Sequence, residues 1–124
     1  MSDDPRLGGI VRLYGAQQTN NLANSHVAVV GIGGVGSWTA EALARSGIGS
    51  ITLIDLDDVC VTNTNRQIHA LSNTIGEAKV DAIASRIHLI NPACKVNCIE
   101  DFVTPENTAT LLTKEMHAVV DATD

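Results

Sequence analysis

Gly31-Ile32-Gly33-Gly34-Val35-Gly36 is a run of residues suited to cradling phosphate. Where side chains are missing, backbone amides can approach the oxygens, and a helix starting at that point adds positive potential. Gly31, Gly33 and Gly36 fit the GxGxxG fingerprint, and Gly34 makes the loop barer still. Asp55 follows at roughly the 20-residue distance at which an acidic side chain takes ribose hydroxyls. The competing reading, glycines that serve only tight helix–strand packing, accounts for less of this context. A nucleotide is expected, but the fingerprint alone does not say which one.

The segment from Asp55 to Gln67 narrows the choice. It places Asp57, Asp58, Asn63 and Arg66 just beyond the end of an apolar run, and Lys79 follows in what reads as the second turn of the next helix. A dinucleotide needs no such cations, because the loop amides already hold its diphosphate. A triphosphate carries about four negative charges and needs fixed cations, with magnesium, before it can be attacked. Arg66 and Lys79 could supply the cations, and Asp124 offers hard oxygens for Mg2+. Each residue also has a plainer reading. Asp57 and Asp58 could be solvated turn residues, Arg66 could pair with either, and Lys79 could be a surface lysine. Asp121 reads better as a strand end than as a ligand. His26, His69, His88 and His117 lack metal-ligand spacing and are not expected to be catalytic, and Trp38 reads as packing.

A regular alternation of elements must position these groups. Residues 1–24 read as an N-terminal arm with a Gly8-Gly9 break and a short helix near Gln17 to Leu22; residues 25–124 read as the nucleotide-binding domain. Strands are expected at Val27–Val30, Ile51–Ile54, Lys95–Ile99 and Ala118–Asp121. A helix through Trp38 and Leu43 should stop near Gly47, a left-handed C-cap. Thr74-Ile75-Gly76-Glu77 fits a capping box, opening a helix with Val80, Ile83, Ala84, Ile87 and Ile90 on one stripe and ending at Asn91-Pro92. Thr104-Pro105 is expected to open a further helix, with proline at its first position. The order β-α-β-α-β-α-β predicts a doubly wound, Rossmann-like parallel sheet. The sequence stops three residues past its fourth strand, which reads as truncation within a larger domain. On that reading the chain alone should be inactive, and it should expose an apolar sheet edge and self-associate.

Bulk properties agree with one small α/β unit. The 124 residues are 44% hydrophobic and 18% charged, an ordinary globular balance. Tyr14, Trp38 and Phe102 are the only aromatics, so the core must be aliphatic. A net charge of −6 disfavours a broad nucleic-acid surface, which would need Lys and Arg. No apolar run reaches the roughly 18 residues that span a bilayer and no signal-peptide pattern opens the chain, so a cytoplasmic location is expected. Cys60, Cys94 and Cys98 form no CxxC and read as incidental or buried thiols.

Together GIGGVG, DLDDVCVTNTNRQ, IGEAK and DATD resemble the E1-like (ThiF/MoeB) adenylyltransferases over essentially the whole chain. The arm Arg6–Gly15, the run Gln67–Leu71 and Asp101–Pro105 resemble the branch of that family that acts on threonylcarbamoyl-modified adenosine in tRNA. The resemblance implies ATP as the nucleotide, with Asp55 on the ribose and Asn63, Arg66 and Lys79 on the phosphates. It implies that Asp124, in the DxxD motif, is linked to Mg2+. Many members carry an arm arginine that reaches a partner subunit's ATP; this chain has Gly9 there, and Arg12 is the available substitute.

The implied activity is adenylation of the threonylcarbamoyl carboxylate of N6-threonylcarbamoyladenosine (t6A) in tRNA, then cyclising dehydration. The implied assembly is a homodimer, with a sulphurtransferase or sulphur acceptor as a possible partner and the tRNA-docking surface outside these residues. A sister activity, adenylation of the C-terminus of a ubiquitin-like sulphur carrier, is the alternative. An NAD-binding oxidoreductase or an inactive nucleotide-binding module is the third reading.

Overall fold

The structure is a computed structural model that describes residues 4–124; the first three residues of the expected arm lie outside the described ones. β1 (His26–Val30), β2 (Ser50–Ile54), β3 (Lys95–Ile99) and β4 (Ala118–Asp121) form one parallel sheet in the order β3-β2-β1-β4. The chain winds outward from β1 to β3, then crosses back to lay β4 against the other side of β1. Winding therefore reverses between β1 and β4, the position where open α/β sheets leave a crevice beyond their carboxyl ends. This is the doubly wound architecture expected from the sequence.

The crossover helices are α3 (Gly36–Arg45), α4 (Lys79–Ile90) and the short α5 (Thr108–Leu111). Ala40 and Ala44 of α3 and Val80, Ile83 and Ile87 of α4 pack with Val29, Ile51 and Leu53 in one aliphatic core. Burying each of the larger side chains contributes about 1.5–3 kcal/mol. Small alanines on α3 allow it to lie close to the sheet. β1 and β2 are almost wholly buried, whereas the outer strands β3 and β4 are largely exposed. Glu41 on α3 joins the helices, accepting from Arg86 of α4 at 2.7 Å and from Arg45 at 3.2 Å. Burial acts to raise its pKa, but the two arginines outweigh that and hold the carboxyl below its usual range.

The segment before β1 is more regular than expected. A 3-10 turn, Pro5–Leu7, leads into α1 (Gly8–Tyr14) and α2 (Ala16–Ala23). Gly8 and Gly9 thus open a helix and do not break the chain; Asp4, whose carboxylate accepts from the Arg6 amide at 3.0 Å, organises the turn before them. Leu22 packs on the core, and Leu7 lies over Gly47, the left-handed residue (φ +88°) that follows α3.

Two further boundaries differ from the sequence reading. Thr74 does not cap α4: its hydroxyl accepts from the Leu71 amide at 2.9 Å and donates to the His69 carbonyl. Helix α4 begins at Lys79, so that lysine is the first helical residue and not a second-turn one. Thr104 accepts from the Asn107 amide in a turn, and the helix follows only at Thr108. Among the described residues no helix is long and apolar enough to cross a membrane.

Candidate functional site

The carboxyl ends of the strands open onto a cleft of about 690 Å³. Gly31, Gly33, Gly34, Asp55, Asp57, Asn63, Arg66, Lys79 and Asp124 all line it; Gly36 does not. The sequence therefore identified residues far apart in the chain that the fold brings to one place.

The glycine loop owes its shape to two close approaches. Gly31 sits at φ +90°, and a Cβ there would lie 2.9 Å from the Ala122 carbonyl oxygen in the segment after β4. A Cβ on Gly36 would lie 1.6 Å from the Gly31 carbonyl oxygen, so no side chain fits. Gly36 serves the turn itself, seating the start of α3 directly beneath the loop.

Asp55, at the end of β2, accepts from the Ile32 amide at 2.7 Å and from the Asp57 amide at 2.8 Å. The carboxylate braces both loops, and each oxygen keeps acceptor capacity for a hydroxyl in the cleft. Beyond it the chain doubles back: Val59 donates to Glu77, Gly76 to Val59, and Lys79 to the Asp57 carbonyl at 3.0 Å. That cross-loop pairing sets where α4 starts and puts Lys79 beside the acidic turn.

Asn63 accepts from the Cys60 amide at 2.8 Å, and its backbone carbonyl takes the amides of Arg66 and Gln67. The Arg66 stem crosses Gly34, while its guanidinium donates to the Thr62 carbonyl and to Asn65 Oδ1. Neither Asp57 nor Asp58 pairs with it. Trp38 is half exposed, unlike the packing residue expected, and its indole N–H donates to the Arg66 carbonyl at 2.9 Å. Lys79 is only 7% exposed. Among the described residues neither Arg66 nor Lys79 has a carboxylate within 4.0 Å. A cation at a helix start opposes the helix dipole, and a buried one lacks hydration. Both penalties are relieved by an anion in the cleft.

Asp121 ends β4, and its carboxylate accepts from the Thr123 hydroxyl and amide, which lowers its pKa. Asp124, three residues on, makes no hydrogen bond among the described residues while lining the same cleft. No cluster of three metal-ligating side chains is found among the described residues. Mg2+ binding through one or two carboxylates and the phosphates of a bound nucleotide fits such a site.

The sequence reading passed over several cleft residues. Gln67 is buried against Gly33, and Phe102, Val103, Leu112 and Val119 form an apolar wall facing the polar one. His69 is fully buried beneath the glycine loop; burial, chiefly, holds its pKa down. Its lack of metal spacing hid it, since its partner lies 37 residues away. Of the thiols, Cys94 is buried and pushed up to about 11 by that burial, while Cys60 and Cys98 are exposed. Arg12 folds back over Gly8 and Gly9 and does not line the cleft.

A glycine-cradled cleft at the switch point of a doubly wound sheet, flanked by two cations without a carboxylate partner among the described residues, marks a Rossmann-like α/β protein with a cleft suited to an anion. The sequence model of the ThiF family matches residues 7–124, and the chain belongs to that family. It is 59% identical over 119 residues to the tRNA threonylcarbamoyladenosine dehydratase of Escherichia coli (strain K12), covering 96% of this chain and 44% of the relative. The crystal structure of the E. coli tRNA N6-threonylcarbamoyladenosine dehydratase in complex with ATP superposes with a TM-score of 0.94 at 59% identity, over 96% of this chain and 49% of that one. The adenylyltransferase and sulfurtransferase MOCS3 of Drosophila sechellia is 32% identical over 111 residues, 90% of this chain and 24% of the relative. The chain thus spans about half the length, or less, of the curated relatives it matches.

Proposed function

We propose that the cleft binds ATP and activates a carboxylate by adenylation, the substrate being the threonylcarbamoyl group of t6A in tRNA. The observation that carries this reading is Lys79, a largely buried lysine that lines the cleft with no carboxylate partner among the described residues, placed with Arg66 beside a glycine loop. The named relative with 59% identity supports the substrate, and the ATP complex of its structure supports the nucleotide.

In this scheme the loop amides and the start of α3 receive the phosphates, Asp55 and Asp57 take the ribose hydroxyls, and the wall around Phe102 and Val119 covers the base. Asn63, Arg66 and Lys79 gather the phosphate oxygens. Mg2+ held by Asp124 would neutralise further phosphate charge. A carboxylate oxygen of the modification attacks the α-phosphorus, and the bond to the bridging oxygen breaks, releasing pyrophosphate. A neighbouring group of the same modification then attacks the acyl carbon and expels AMP, closing a ring with net loss of water. The protein's contribution is alignment and charge neutralisation, with no covalent protein intermediate. We place this chemistry in the cytoplasm, in a homodimer whose tRNA contacts come from surfaces beyond these residues, with a sulphurtransferase as a possible partner.

The test is ATP–pyrophosphate exchange in the protein carrying this chain, with t6A-containing tRNA as the stimulating substrate. Exchange that requires the modified tRNA and yields AMP with the cyclised base is expected. Exchange stimulated instead by the C-terminus of a sulphur-carrier protein would transfer the reading to that substrate. Tight NAD binding that ATP cannot displace would overturn adenylation altogether.

A further inference from the structure

We propose that His69 is a positioning residue that fixes the peptide between Ile32 and Gly33, so that the Gly33 amide is presented to the phosphates; the phosphate half of this statement rests on the nucleotide reading above. His69 is fully buried, and its Nε2 lies 2.8 Å from the Ile32 carbonyl oxygen. A carbonyl only accepts, so Nε2 carries the proton and Nδ1 is bare. Consistent with this, Nδ1 has no hydrogen-bond partner among the described residues.

The consequence follows from peptide geometry. The Ile32 C=O and the Gly33 N–H belong to one planar trans unit and point in opposite directions. Drawing the carbonyl inward onto His69 turns the Gly33 N–H outward, and Gly33 lines the cleft. A flip of that peptide changes ψ of Ile32 and φ of Gly33, and Gly33, without a Cβ, resists it little on its side, so an outside contact is needed to hold the orientation. The preceding peptide is fixed separately, because the Ile32 amide donates to Asp55 at 2.7 Å. Both polar groups of Ile32 are thus held by side chains from other segments.

The same segment carries Arg66, and it is fastened to α3 at two more points. The Ile68 amide donates to Ser37 Oγ at 3.3 Å, and Trp38 donates to the Arg66 carbonyl at 2.9 Å. The Gly33 amide and the Arg66 guanidinium are thereby referred to one frame, with His69 as its buried link.

The protein carrying this chain, in the wild-type form and as His69→Gln and His69→Phe, provides the test. Gln places an amide N–H near the position of Nε2; Phe keeps a flat ring without a donor. In nucleotide-free protein the Gly33 amide should gain backbone motion in His69→Phe, its ¹⁵N order parameter falling from about 0.85 to about 0.6 or less, and return towards wild type in His69→Gln. ATP affinity should fall by about tenfold in the Phe variant and stay within about threefold in the Gln variant. Exchange at the β1 and β2 core amides should be unchanged in both, separating positioning from general loosening. Equal Gly33 order parameters in all three proteins would overturn the proposal. If wild type binds no ATP, the nucleotide reading falls, but the Gly33 order parameter still decides the peptide's anchoring. If His69→Phe does not fold, ¹⁵N shifts of the wild-type imidazole decide: a protonated Nε2 with bare Nδ1 supports the assignment, and the opposite tautomer sinks it.

Discussion

The helix layer and the cleft each hold two cations near acidic side chains, and the two regions use them in opposite ways. Between α3 and α4, both arginines, Arg86 and Arg45, have a carboxylate partner in Glu41, one at each oxygen. In the cleft, Asp55 and Asp121 are occupied by backbone amides and a hydroxyl, leaving Arg66 and Lys79 without a carboxylate partner among the described residues. Buried charge is tolerated only when compensated. The helix layer supplies its own compensation; in the cleft Arg66 is exposed to solvent, and under the proposed function an anion would compensate Lys79. Location in a cavity and lack of an internal partner together, more than charge itself, set Arg66 and Lys79 apart from the arginines of the helix layer.

The largest effect expected from this contrast is on activity. Lys79→Ala or Arg66→Ala, in the protein carrying this chain, should lower adenylation by about 10²–10³-fold, the usual cost of removing a group that stabilises developing charge. Thermal stability should change little, because Lys79 has no carboxylate partner among the described residues and Arg66 is exposed, its guanidinium bonded only to the Thr62 carbonyl and Asn65. Adenylation rates and melting curves of the two variants check this directly. An unaltered rate in either would mean that residue's charge is not part of the clamp, and a large loss of stability would place it with the arginines of the helix layer.

Much of this contrast could be read from the sequence because it depends on local rules. Alternating apolar runs located all four strands to within about a residue, in keeping with their strong pattern, and the loop residues fell into one cleft because each follows a strand's carboxyl end. The misses came where one local signal was outcompeted by another partner, near in the chain or across the fold. Thr74 and Glu77 satisfy the capping-box spacing, yet Thr74 is taken by Leu71 and His69, and the pairing of Asp57–Val59 with residues 76–79 delays α4 to Lys79. Gly8 and Gly9, poor helix formers singly, follow a turn already organised by Asp4 and Pro5. His69 and Trp38 had no readable role, since their partners Ile32 and Arg66 lie across the fold.

A smaller effect, confined to stability, is expected on the other side of the comparison. Glu41→Gln keeps the shape but weakens two charge-assisted hydrogen bonds joining the helices. The loss should be about 1–2 kcal/mol at neutral pH, discounted because Arg45 and Arg86 are partly solvated. For a chain of this size that is a fall of roughly 4–10 °C in melting temperature. ATP affinity, measured on the same preparation, should stay within about twofold, since Glu41 is absent from the cleft lining. A matching loss of affinity would show that the two regions are coupled and would weaken the contrast.

The finest distinction is in pH. The folded-state pKa of Glu41 is lowered from the ordinary 4.5, burial opposing the shift and Arg86 and then Arg45 outweighing it. A carboxylate held below its unfolded value contributes stability that is fully present above that value and lost as pH falls through the folded one. The gap in melting temperature between wild type and Glu41→Gln should therefore be constant from neutral pH down to about 5 and close progressively below 4.5. Lys79→Ala should show no such convergence, because Lys79 has no carboxylate partner whose protonation would remove an interaction. Parallel melting curves at neutral and acidic pH separate the two cases. A gap for Glu41→Gln that persists unchanged below its folded pKa would mean that shape, and not charge, joins α3 to α4.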